Sequence, residues 1–414
     1  MNFRKTSMIT LAVMMTASLG ACADTSETNT ASAETSESTK ETANPYTFSK
    51  ITDYLFEANY DSYEENFDAA KEYCSRYKLG GCSSVQNGIY RGRNYDWTYD
   101  ESPEFVVHVS ANEEGRHASV GIASTTSITA ADVEAGDYYD VYEILPYCTL
   151  DGINDAGLTV NINVVNYGEK GEFVMKTEDT SDDICPLMVT RLLLDQAGSI
   201  DEALALMEEM DIYSLGSVEE THWLISGPQS AEDDTFNTVV AELIPDENQH
   251  YQLSVIDYNN GDFAGDKAIM TNFHLTDFDG TLESATTHPM GYERWEILYE
   301  DYDQGSTLRG MEDLMKKVYY TNAYDIWSDN FWYSDYAAGD LDMTNRGEAE
   351  LNGDISAAGA YAETIQNAMD LYQLNARDGS TWHTVHTSVY DTENKVLYIM
   401  PQESGFAYEI PLAE

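Results

Sequence analysis

The chain has 414 residues and 42% of them are hydrophobic, so it can bury a large core and lacks the composition of a disordered protein. Its 74 acidic side chains outnumber its 21 basic ones, which gives a formal net charge of −53 at pH 7. This charge argues against DNA or RNA as a partner, because phosphate binding needs clustered lysine and arginine. We interpret the acidity mainly as a solvated surface.

The N-terminus predicts export. Arg4 and Lys5 precede an apolar stretch over residues 8–19, which is too short to span a membrane as a mature helix. The Leu-Gly-Ala-Cys sequence that ends at Cys22 resembles a bacterial lipobox. The resemblance implies that residues 1–21 are a lipoprotein signal peptide and that a lipidated Cys22 anchors the protein to the bacterial cell envelope, outside the cytoplasm. The alternative, an ordinary cleavable signal with an unrelated cysteine, predicts export as well.

Residues 22–44 are rich in serine, threonine and glutamate and contain no aromatic side chain. Such a stretch cannot bury enough apolar surface to fold. We therefore expect a disordered tether that holds the folded part away from a membrane.

The other four cysteines are Cys74, Cys82, Cys148 and Cys185. They are few and scattered, so we expect the core rather than a disulfide framework to stabilise the protein. Whether Cys148 pairs with Cys185 stays open. The Gly80-Gly81 pair favours a free Cys82 over a bridge to Cys74.

Residues 46–78 show apolar side chains at helical spacing, and Gly80-Gly81 ends the pattern. We therefore expect a helical segment within residues 45–81. From Cys82 onward the pattern becomes that of strands, beginning with a hairpin-like stretch around Gly92.

Later strands and helices suggest a layered fold. Strands are predicted at residues 105–110, 157–165, 222–226, 238–244, 268–272, 384–390 and 396–400. Helices are predicted at residues 187–194, 203–210, 292–299, 310–318 and 358–374. Ser199 and Glu202 form a capping box before the second of these helices. Strands at both ends and helices between them favour an α+β fold over a βαβ arrangement.

Cys82 has the surroundings of a nucleophile that chain cleavage creates. If the bond between Gly81 and Cys82 is cut, Cys82 carries a thiol and a free α-amine, and an amine with a pKa near 7.7–8.0 is a general base close to neutral pH. The preceding glycines permit the strained turn that self-cleavage needs. Arg93 would favour the thiolate, and Asp96 would orient the amine.

These residues resemble a known family. Cys82 followed by Gly92-Arg-Asn-Tyr-Asp-Trp97 resembles the choloylglycine hydrolases, linear-amide C–N hydrolases that include bile-salt hydrolases, penicillin V acylases and acid ceramidase-like enzymes. Further stretches resemble family motifs and occur in the family's order: Gly152–Leu158, His222–Gly227, Ile269–Asn272 and Arg294. Each signal is modest, and their combination is fairly specific.

The resemblance implies an N-terminal-nucleophile hydrolase with a four-layer αββα sandwich, in which two antiparallel sheets stack between helices. Residues 82–414 would form this domain. Residues 45–81 would be a prosegment that is cut at Cys82 and then either stays docked or is released.

The resemblance also implies roles for five residues. Cys82 would be the nucleophile and, through its amine, the base. Arg93 would tune the thiol, and Asp96 would bind the amine. Asn272 would contact the nucleophile and help to hold the oxyanion, while Arg294 would complete the charged network.

One family position differs in this chain. An ungapped alignment places Val164 where the family often has an Asn or Tyr side chain that donates to the oxyanion. Asn163 lies beside this position and Asn161 lies two residues before it, and neighbouring side chains of a strand point to opposite faces. The second oxyanion donor, whether Asn161, Asn163 or a backbone N–H, therefore stays open.

The implied reaction is hydrolysis of a linear, non-peptide amide in a small N-acyl compound of the bile-salt, penicillin V or fatty-acyl amide type, without metal or cofactor. Two alternatives stay open: a surface lipoprotein that binds a ligand without turnover on the same fold, and a related peptidase or acyltransferase. A Cys–His protease using His222 or His274 is weaker, because neither histidine has a recognisable partner pattern. The acyl group, the amine and any homo-oligomer are not set by the sequence.

Overall fold

A computed structural model describes residues 48–74, 81–98, 103–125, 129–136, 139–165, 183–212, 220–245, 251–259, 267–276, 278, 291–319, 382–401 and 407–412. The signal peptide predicted at 1–21, the tether predicted at 22–44 and the helix predicted at 358–374 lie outside these residues. None of the described helices combines the length and apolar character that a membrane crossing requires.

The larger sheet has nine strands in the described part of the chain. In spatial order they are β1 (Ser49–Lys50), β2 (Leu55–Tyr60), β5 (Glu104–Val109), β6 (Ser119–Ser124), β7 (Thr149–Asn154), β8 (Thr159–Val165), β11 (Glu220–Pro228), β12 (Phe236–Pro245) and β13 (Tyr251–Asp257). All neighbouring strands are antiparallel except β2 and β5, which run parallel.

The smaller sheet has six described strands, all antiparallel. In spatial order they are β14 (Ala268–Met270), β3 (Cys82–Asn87), β4 (Tyr90–Thr98), β15 (Trp382–Asp391), β16 (Val396–Pro401) and β17 (Tyr408–Pro411). Two short strands, β9 (Asp183–Ile184) and β10 (Asp211–Ile212), form a separate parallel pair. The N-terminal and C-terminal parts of the chain therefore meet in one sheet, where β4 pairs with β15.

Helices cover the outer faces of the two sheets. The described α-helices are α1 (Phe67–Cys74), α2 (Ala130–Ala135), α3 (Tyr139–Tyr142), α4 (Pro186–Gln196), α5 (Ile200–Glu209), α6 (Tyr292–Glu300) and α7 (Leu308–Lys317). Helices α4 and α5 pack on the nine-stranded sheet, and α6 and α7 pack on the six-stranded sheet.

Between the sheets, apolar side chains from both form a common core. Val106 and Ile122 of the larger sheet pack with Leu397 and Ile399 of the smaller one. This order of helix, sheet, sheet and helix confirms the predicted four-layer αββα sandwich, and the parallel pair β2–β5 is the departure from purely antiparallel sheets.

Local signals placed several elements correctly. Helix α5 begins after Ser199, whose hydroxyl accepts the Glu202 N–H. The Glu202 carboxylate accepts the N–H of Gly198 rather than that of Ser199, so half of the predicted capping box forms as expected. Between the strands predicted at 384–390 and 396–400, Asp391 accepts the N–H groups of Glu393 and Asn394, which stabilises the turn of the β15–β16 hairpin.

The helical prediction for residues 46–78 is wrong over most of its length. Helix α1 begins only at Phe67, and Leu55–Tyr60 form the strand β2. Within β2, Phe56, Ala58 and Tyr60 face the core under the helices, while Leu55 faces the other sheet. Pairing with β5, which lies far along the chain, imposed this two-residue alternation on apolar side chains that also fit a helical spacing.

The first hairpin is present, but its turn lies earlier than expected. Residues 88 and 89 connect β3 to β4, and Gly88 has a φ of 58°, which favours glycine. Gly92 lies inside β4, where an added Cβ would come within 2.6 Å of Met315 Cγ. This glycine therefore lets α7 approach the strand, rather than forming the turn.

Candidate active site

Cys82 is the first residue of β3, and its side chain is fully buried. It pairs with Tyr95 of β4 across the sheet. The carbonyl oxygen of Gly81, the residue before it, accepts the Asp96 N–H at 2.8 Å. The Gly81–Cys82 bond therefore sits in an ordered strand extension, with its carbonyl already hydrogen-bonded.

Arg93 reaches the sulfur of Cys82. The register of β3 and β4 places Arg93 opposite Ser84, two residues from Cys82 and on the same face of the sheet. Its Nη2 lies 3.3 Å from Cys82 Sγ and 3.2 Å from the Ile162 carbonyl oxygen. Its Nη1 donates to Asp151 Oδ2 at 2.6 Å, so one guanidinium joins the thiol to the opposite sheet.

Asp151 is the acidic partner that sequence reasoning missed. Its Oδ1 accepts from the hydroxyl of Ser388 at 2.8 Å and from the hydroxyl of Tyr390. Burial opposes ionisation, but Arg93, together with His386 and Tyr390, holds the pKa of this carboxyl well below its usual range. Asp151 directly precedes the Gly152–Leu158 motif, and a lone carboxylate in the otherwise uncharged stretch 144–154 was the signal that could have identified it.

Asn272 and Arg294 surround the backbone of Cys82. Asn272 Oδ1 accepts the Cys82 N–H at 3.0 Å and an N–H of Arg294 at 2.8 Å. Arg294 Nη1 donates to the Cys82 carbonyl oxygen at 2.7 Å and to Ser83 Oγ at 2.9 Å. Asn272 Nδ2 donates to the Val164 carbonyl oxygen at 2.7 Å, which links this group to the larger sheet.

Asp96 lies beside this group. Its Oδ1 accepts from Thr384 Oγ1 at 2.6 Å, and its Oδ2 lies 3.5 Å from Arg294 Nη1. Together with the contacts above, this brings all five sequence-predicted site residues, Cys82, Arg93, Asp96, Asn272 and Arg294, into one connected set around the sulfur and backbone of Cys82.

Burial determines the protonation of the thiol in the uncleaved chain. Loss of solvent raises the pKa of Cys82 to about 11, and Asp96 and Asp151 add to the shift. Arg93 and Arg294 act in the opposite direction but do not overcome it. At neutral pH the thiol is therefore protonated, and attack on a carbonyl requires a base that takes its proton.

The two candidate oxyanion asparagines donate to protein acceptors. Asn163 Nδ2 donates to the carbonyl oxygens of Met270 and Thr271, at 3.2 and 3.1 Å. Asn161 Nδ2 donates to Ser84 Oγ at 2.9 Å and to Asn163 Oδ1 at 3.0 Å. Both amides therefore join the two sheets. The second oxyanion donor stays open between Asn161, Asn163 and a backbone N–H.

The histidines considered for a Cys–His pair are engaged elsewhere. His222 Nδ1 lies 3.0 Å from Glu242 Oε1, and its Nε2 lies 2.9 Å from the Thr271 carbonyl oxygen. His274 Nδ1 lies 3.7 Å from the same Glu242 oxygen. Among the described residues, no group of three or more His, Cys, Asp or Glu side chains could hold a metal ion.

The described cysteines form no disulfide with one another. Cys74, Cys82, Cys148 and Cys185 are all buried thiols. The pKa of Cys74 is raised by burial and by the neighbouring sulfurs of Cys148 and Cys185, so these three thiols lie near one another under the larger sheet.

Residues 84–217, less than half of the chain, match the family model of acyl-coenzyme A:6-aminopenicillanic acid acyl-transferase. The matched segment contains Arg93, Asp96 and Asp151. For this segment, the match confirms the predicted resemblance to N-terminal-nucleophile enzymes. No curated protein matches the chain significantly.

Solved structures share a distant likeness with the chain. A point mutant of the conjugated bile acid hydrolase from Clostridium perfringens has 12% identity and a TM-score of 0.39, covering 80% of this chain and 92% of that one. Penicillin V acylase from Agrobacterium tumefaciens has 14% identity and a TM-score of 0.37, covering 80% and 86%. A second variant of the same bile acid hydrolase has 12% identity and a TM-score of 0.37, covering 80% and 92%. The fold assignment rests on the sheet order and helix placement above.

Proposed function

We propose that this protein is an amidohydrolase that cleaves the linear C–N amide bond of a small N-acyl compound, with Cys82 as nucleophile. One observation carries the proposal. Arg93 contacts the sulfur of Cys82, while Asn272 and Arg294 bind the backbone of the same residue and Asp96 lies against Arg294. The sulfur and the backbone nitrogen of Cys82 thus have separate partners. A residue that serves as both nucleophile and base needs this arrangement.

The reaction begins once the Gly81–Cys82 bond is hydrolysed and the Cys82 nitrogen becomes an amine with a pKa near 7.7–8.0. The amine takes the proton of the thiol, and the sulfur forms a bond to the amide carbonyl carbon of the substrate. The amine then returns the proton to the substrate nitrogen, the C–N bond breaks and a thioester remains on Cys82. Water, deprotonated by the same amine, attacks the thioester, releases the carboxylic acid and restores the thiol.

The surrounding residues have separate tasks in this scheme. Arg93 stabilises the thiolate, and Asp151 holds the guanidinium in place. Asn272 Oδ1 and Asp96 hold the amine at the sulfur, and Arg294 fixes both of them. The tetrahedral intermediate needs N–H donors, and loss of one such donor typically lowers the rate by ~10²–10³.

We further propose that residues 48–74 stay docked after cleavage at Cys82. Strand β2 pairs with β5 along its full length, and Phe56, Tyr60 and Cys74 lie in the core beneath the helices. Release would expose these side chains to water, at roughly 1.5–3 kcal/mol for each large apolar one. A docked segment also lets a lipid at Cys22, on the N-terminal side, retain the hydrolase at the envelope.

The proposed export and anchoring have their own test. Radiolabelled palmitate should be incorporated by the wild-type protein and not by the Cys22→Ala variant, which should appear in the medium. Labelling that persists in Cys22→Ala would contradict the anchor at this residue. A secreted, unlabelled wild type would instead indicate an ordinary signal peptide.

Intact mass and a substrate panel test the hydrolase. Denaturing mass spectrometry of the wild type should show a chain that begins at Cys82, and Cys82→Ala should remain uncut. Conjugated bile salt, penicillin V, N-acyl fatty amide and a peptide should be assayed together with both proteins. Hydrolysis by full-length, uncut protein would contradict the amine as base, and ligand binding without turnover by a processed wild type would favour the non-catalytic alternative.

Acyl transfer is a second candidate, because the matching family model is that of an acyltransferase. It proceeds through the same thioester on Cys82, with an amine instead of water as the final acceptor. Adding 6-aminopenicillanic acid or a simple amine to the assay separates the two. Capture of most of the acyl group by the amine, at the expense of free acid, would favour transfer.

A further inference from the structure

A buried carboxylate on the larger sheet binds the backbone of the segment that carries Asn272. Glu242 of β12 is fully buried. Its Oε1 accepts the Leu275 N–H at 2.8 Å, and its Oε2 accepts the N–H and the hydroxyl of Thr276 at 2.8 and 2.7 Å. One carboxylate therefore fixes two successive peptide units just after Asn272.

His222 fixes the other side of Asn272. It lies directly opposite Glu242 in the β11–β12 register, and its Nδ1 lies 3.0 Å from Glu242 Oε1. Its Nε2 lies 2.9 Å from the Thr271 carbonyl oxygen, and a carbonyl can only accept. Both ring nitrogens thus face acceptor oxygens, one on the Glu242 side chain and one on the backbone of residue 271.

A buried carboxylate is costly unless it is hydrogen-bonded, and the contacts of Glu242 and His222 show which segment they hold. Burial opposes ionisation of Glu242, but His222 and His274 hold the pKa of its carboxyl well below the ordinary value. A buried carboxylate of this kind is weak evidence for stability, since apolar side chains of similar volume often stabilise a core as well. All four backbone and hydroxyl contacts of the pair fall on residues 271, 275 and 276, which bracket Asn272.

We propose that Glu242 and His222 are positioning residues that hold Asn272 Oδ1 against the nitrogen of Cys82 and thereby set the basicity of that nitrogen after cleavage. The inference rests on the proposed function, because it concerns the amine that acts as base there. Asn163, whose amide donates to the carbonyl oxygens of Met270 and Thr271, supports the same segment from the larger sheet.

The proposal predicts the direction of a pH shift. A carbonyl oxygen that accepts from the amine stabilises its protonated form and raises its pKa. When Asn272 is held less firmly, the amine loses part of this contact and its pKa falls. The charged groups facing the nitrogen and the thiol are unchanged: Arg93 and Asp96 on β4, Asp151 on β7 and Arg294 on α6. The acidic limb of the kcat/KM profile should therefore move to lower pH.

Glu242→Gln tests the proposal, because the amide keeps the size of the side chain but places an N–H₂ where the Thr276 or Leu275 N–H must donate. Asp257→Asn is the matched control, because it neutralises a carboxylate on the neighbouring strand β13. The Asp257 carboxylate lies at the C-terminal end of β13 and accepts from Asn237 and Asn259, not from the segment that carries Asn272. Glu242→Asp retains the charge and serves as the conservative variant if Glu242→Gln does not fold.

Two measurements are expected to change together. Hydrogen–deuterium exchange of the peptide containing residues 271–276 should be at least about tenfold faster in Glu242→Gln than in the wild type and unchanged in Asp257→Asn. With rates normalised to the fraction of Cys82 that iodoacetamide titrates, kcat/KM of Glu242→Gln should fall about tenfold, and its acidic limb should move down by roughly half a pH unit or more. Glu242→Asp should recover part of both.

Other results would overturn the proposal. Unchanged exchange over residues 271–276 would show that Glu242 does not hold this segment. Faster exchange with an unmoved acidic limb would show a structural role without an effect on the amine. If the wild type hydrolyses no amide at all, the proposed function fails, while the exchange comparison still decides whether Glu242 holds Asn272.

Discussion

At the scale of single residues, Arg93 joins the two halves of the site. Its two terminal nitrogens contact the thiol of Cys82, the carboxylate of Asp151 and a carbonyl of the opposite sheet. Burial would lower the pKa of Arg93, but the Cys82 sulfur and Asp151 reverse this and raise it above its ordinary value. Arg93 is therefore a permanent cation, and the planar shape of its guanidinium lets it contact the thiol and the Asp151 carboxylate at the same time.

Arg93→Lys should retain the charge and lose this geometry. A lysine ammonium cannot contact Cys82 and Asp151 through a planar fork, so we expect kcat/KM to fall by ~10–100-fold and the thiol to be alkylated more slowly at pH 7. Arg91→Lys is the matched control, since Arg91 is equally buried on the same strand face and donates to the Leu224 carbonyl oxygen. Equal losses in both variants would mean that any buried arginine of β4 has this effect.

At the scale of elements, the N-terminus of α6 positions Arg294. Gly291 precedes this helix with a φ of 80°, and a Cβ placed there would lie 2.9 Å from Arg294 Nη2. Since Nη2 is the group that donates to Asn272, the absence of a side chain at 291 makes room for the contact. The same guanidinium binds the Cys82 carbonyl oxygen. Gly291 therefore determines where the Arg294 side chain of α6 lies relative to Cys82 and Asn272.

Gly291→Ala should displace the Arg294 guanidinium and lower kcat/KM about tenfold. It should also cost roughly 1 kcal/mol of unfolding free energy because of the left-handed backbone. Gly136→Ala provides the control, because Gly136 also has a φ of 80° but, within the described part of the chain, an added Cβ would meet no atom within 4 Å. It should show the loss of stability in urea unfolding without the loss of activity; a similar activity loss in both would point to general strain.

The segment before Cys82 behaves as part of the sandwich at this scale. If residues 48–74 stay docked, native mass spectrometry of processed protein should show one particle containing both chains, while denaturing conditions separate them. Phe56→Ala, which removes a ring that is 2% exposed, should lower stability by ~3–5 kcal/mol. A native particle made only of the chain that begins at Cys82 would contradict docking.

At the scale of the whole molecule, a layer of buried polar side chains lies between the sheets. His386 of β15 lies 3.1 Å from Glu104 of β5 and 3.8 Å from Asp151 of β7. Burial would lower the pKa of His386, but these two carboxylates reverse the effect and raise it. This polar layer therefore makes the free energy of unfolding depend on pH through His386, and through Asp151 it also holds Arg93 in place.

Stability should be highest in weakly acidic solution. A raised pKa in the folded state means that the His386 contribution is full below about pH 6.5 and is lost as pH rises through the folded value. The lowered pKa of Asp151 means that its contribution is present above about pH 4 and is lost as pH falls further. Urea midpoints should decrease from pH 6 to 9 in the wild type and less steeply in His386→Gln; an equal slope in both would exclude His386 as the cause.

Much of the fold and site was predictable from local patterns. Runs rich in β-branched side chains predicted strands such as β8 and β12, and Ser199 predicted the start of α5. The Gly-Arg-Asn-Tyr-Asp-Trp run after Cys82 placed Arg93 and Asp96 near the thiol, because a hairpin returns the chain within a few residues. Short-range spacing is sufficient where the partners are close along the chain.

The sequence alone determined the strand pattern, the nucleophile candidate and its near neighbours, because these depend on periodicity and short spacing. Tertiary structure decided that residues 55–60 form a strand, since pairing with β5 outweighs a helical spacing. It also decided that Asp151 holds Arg93 and that Glu242 holds the Asn272 segment. These contacts join residues that lie far apart in the chain, and only the stacking of two sheets brings such carboxylates to their partners.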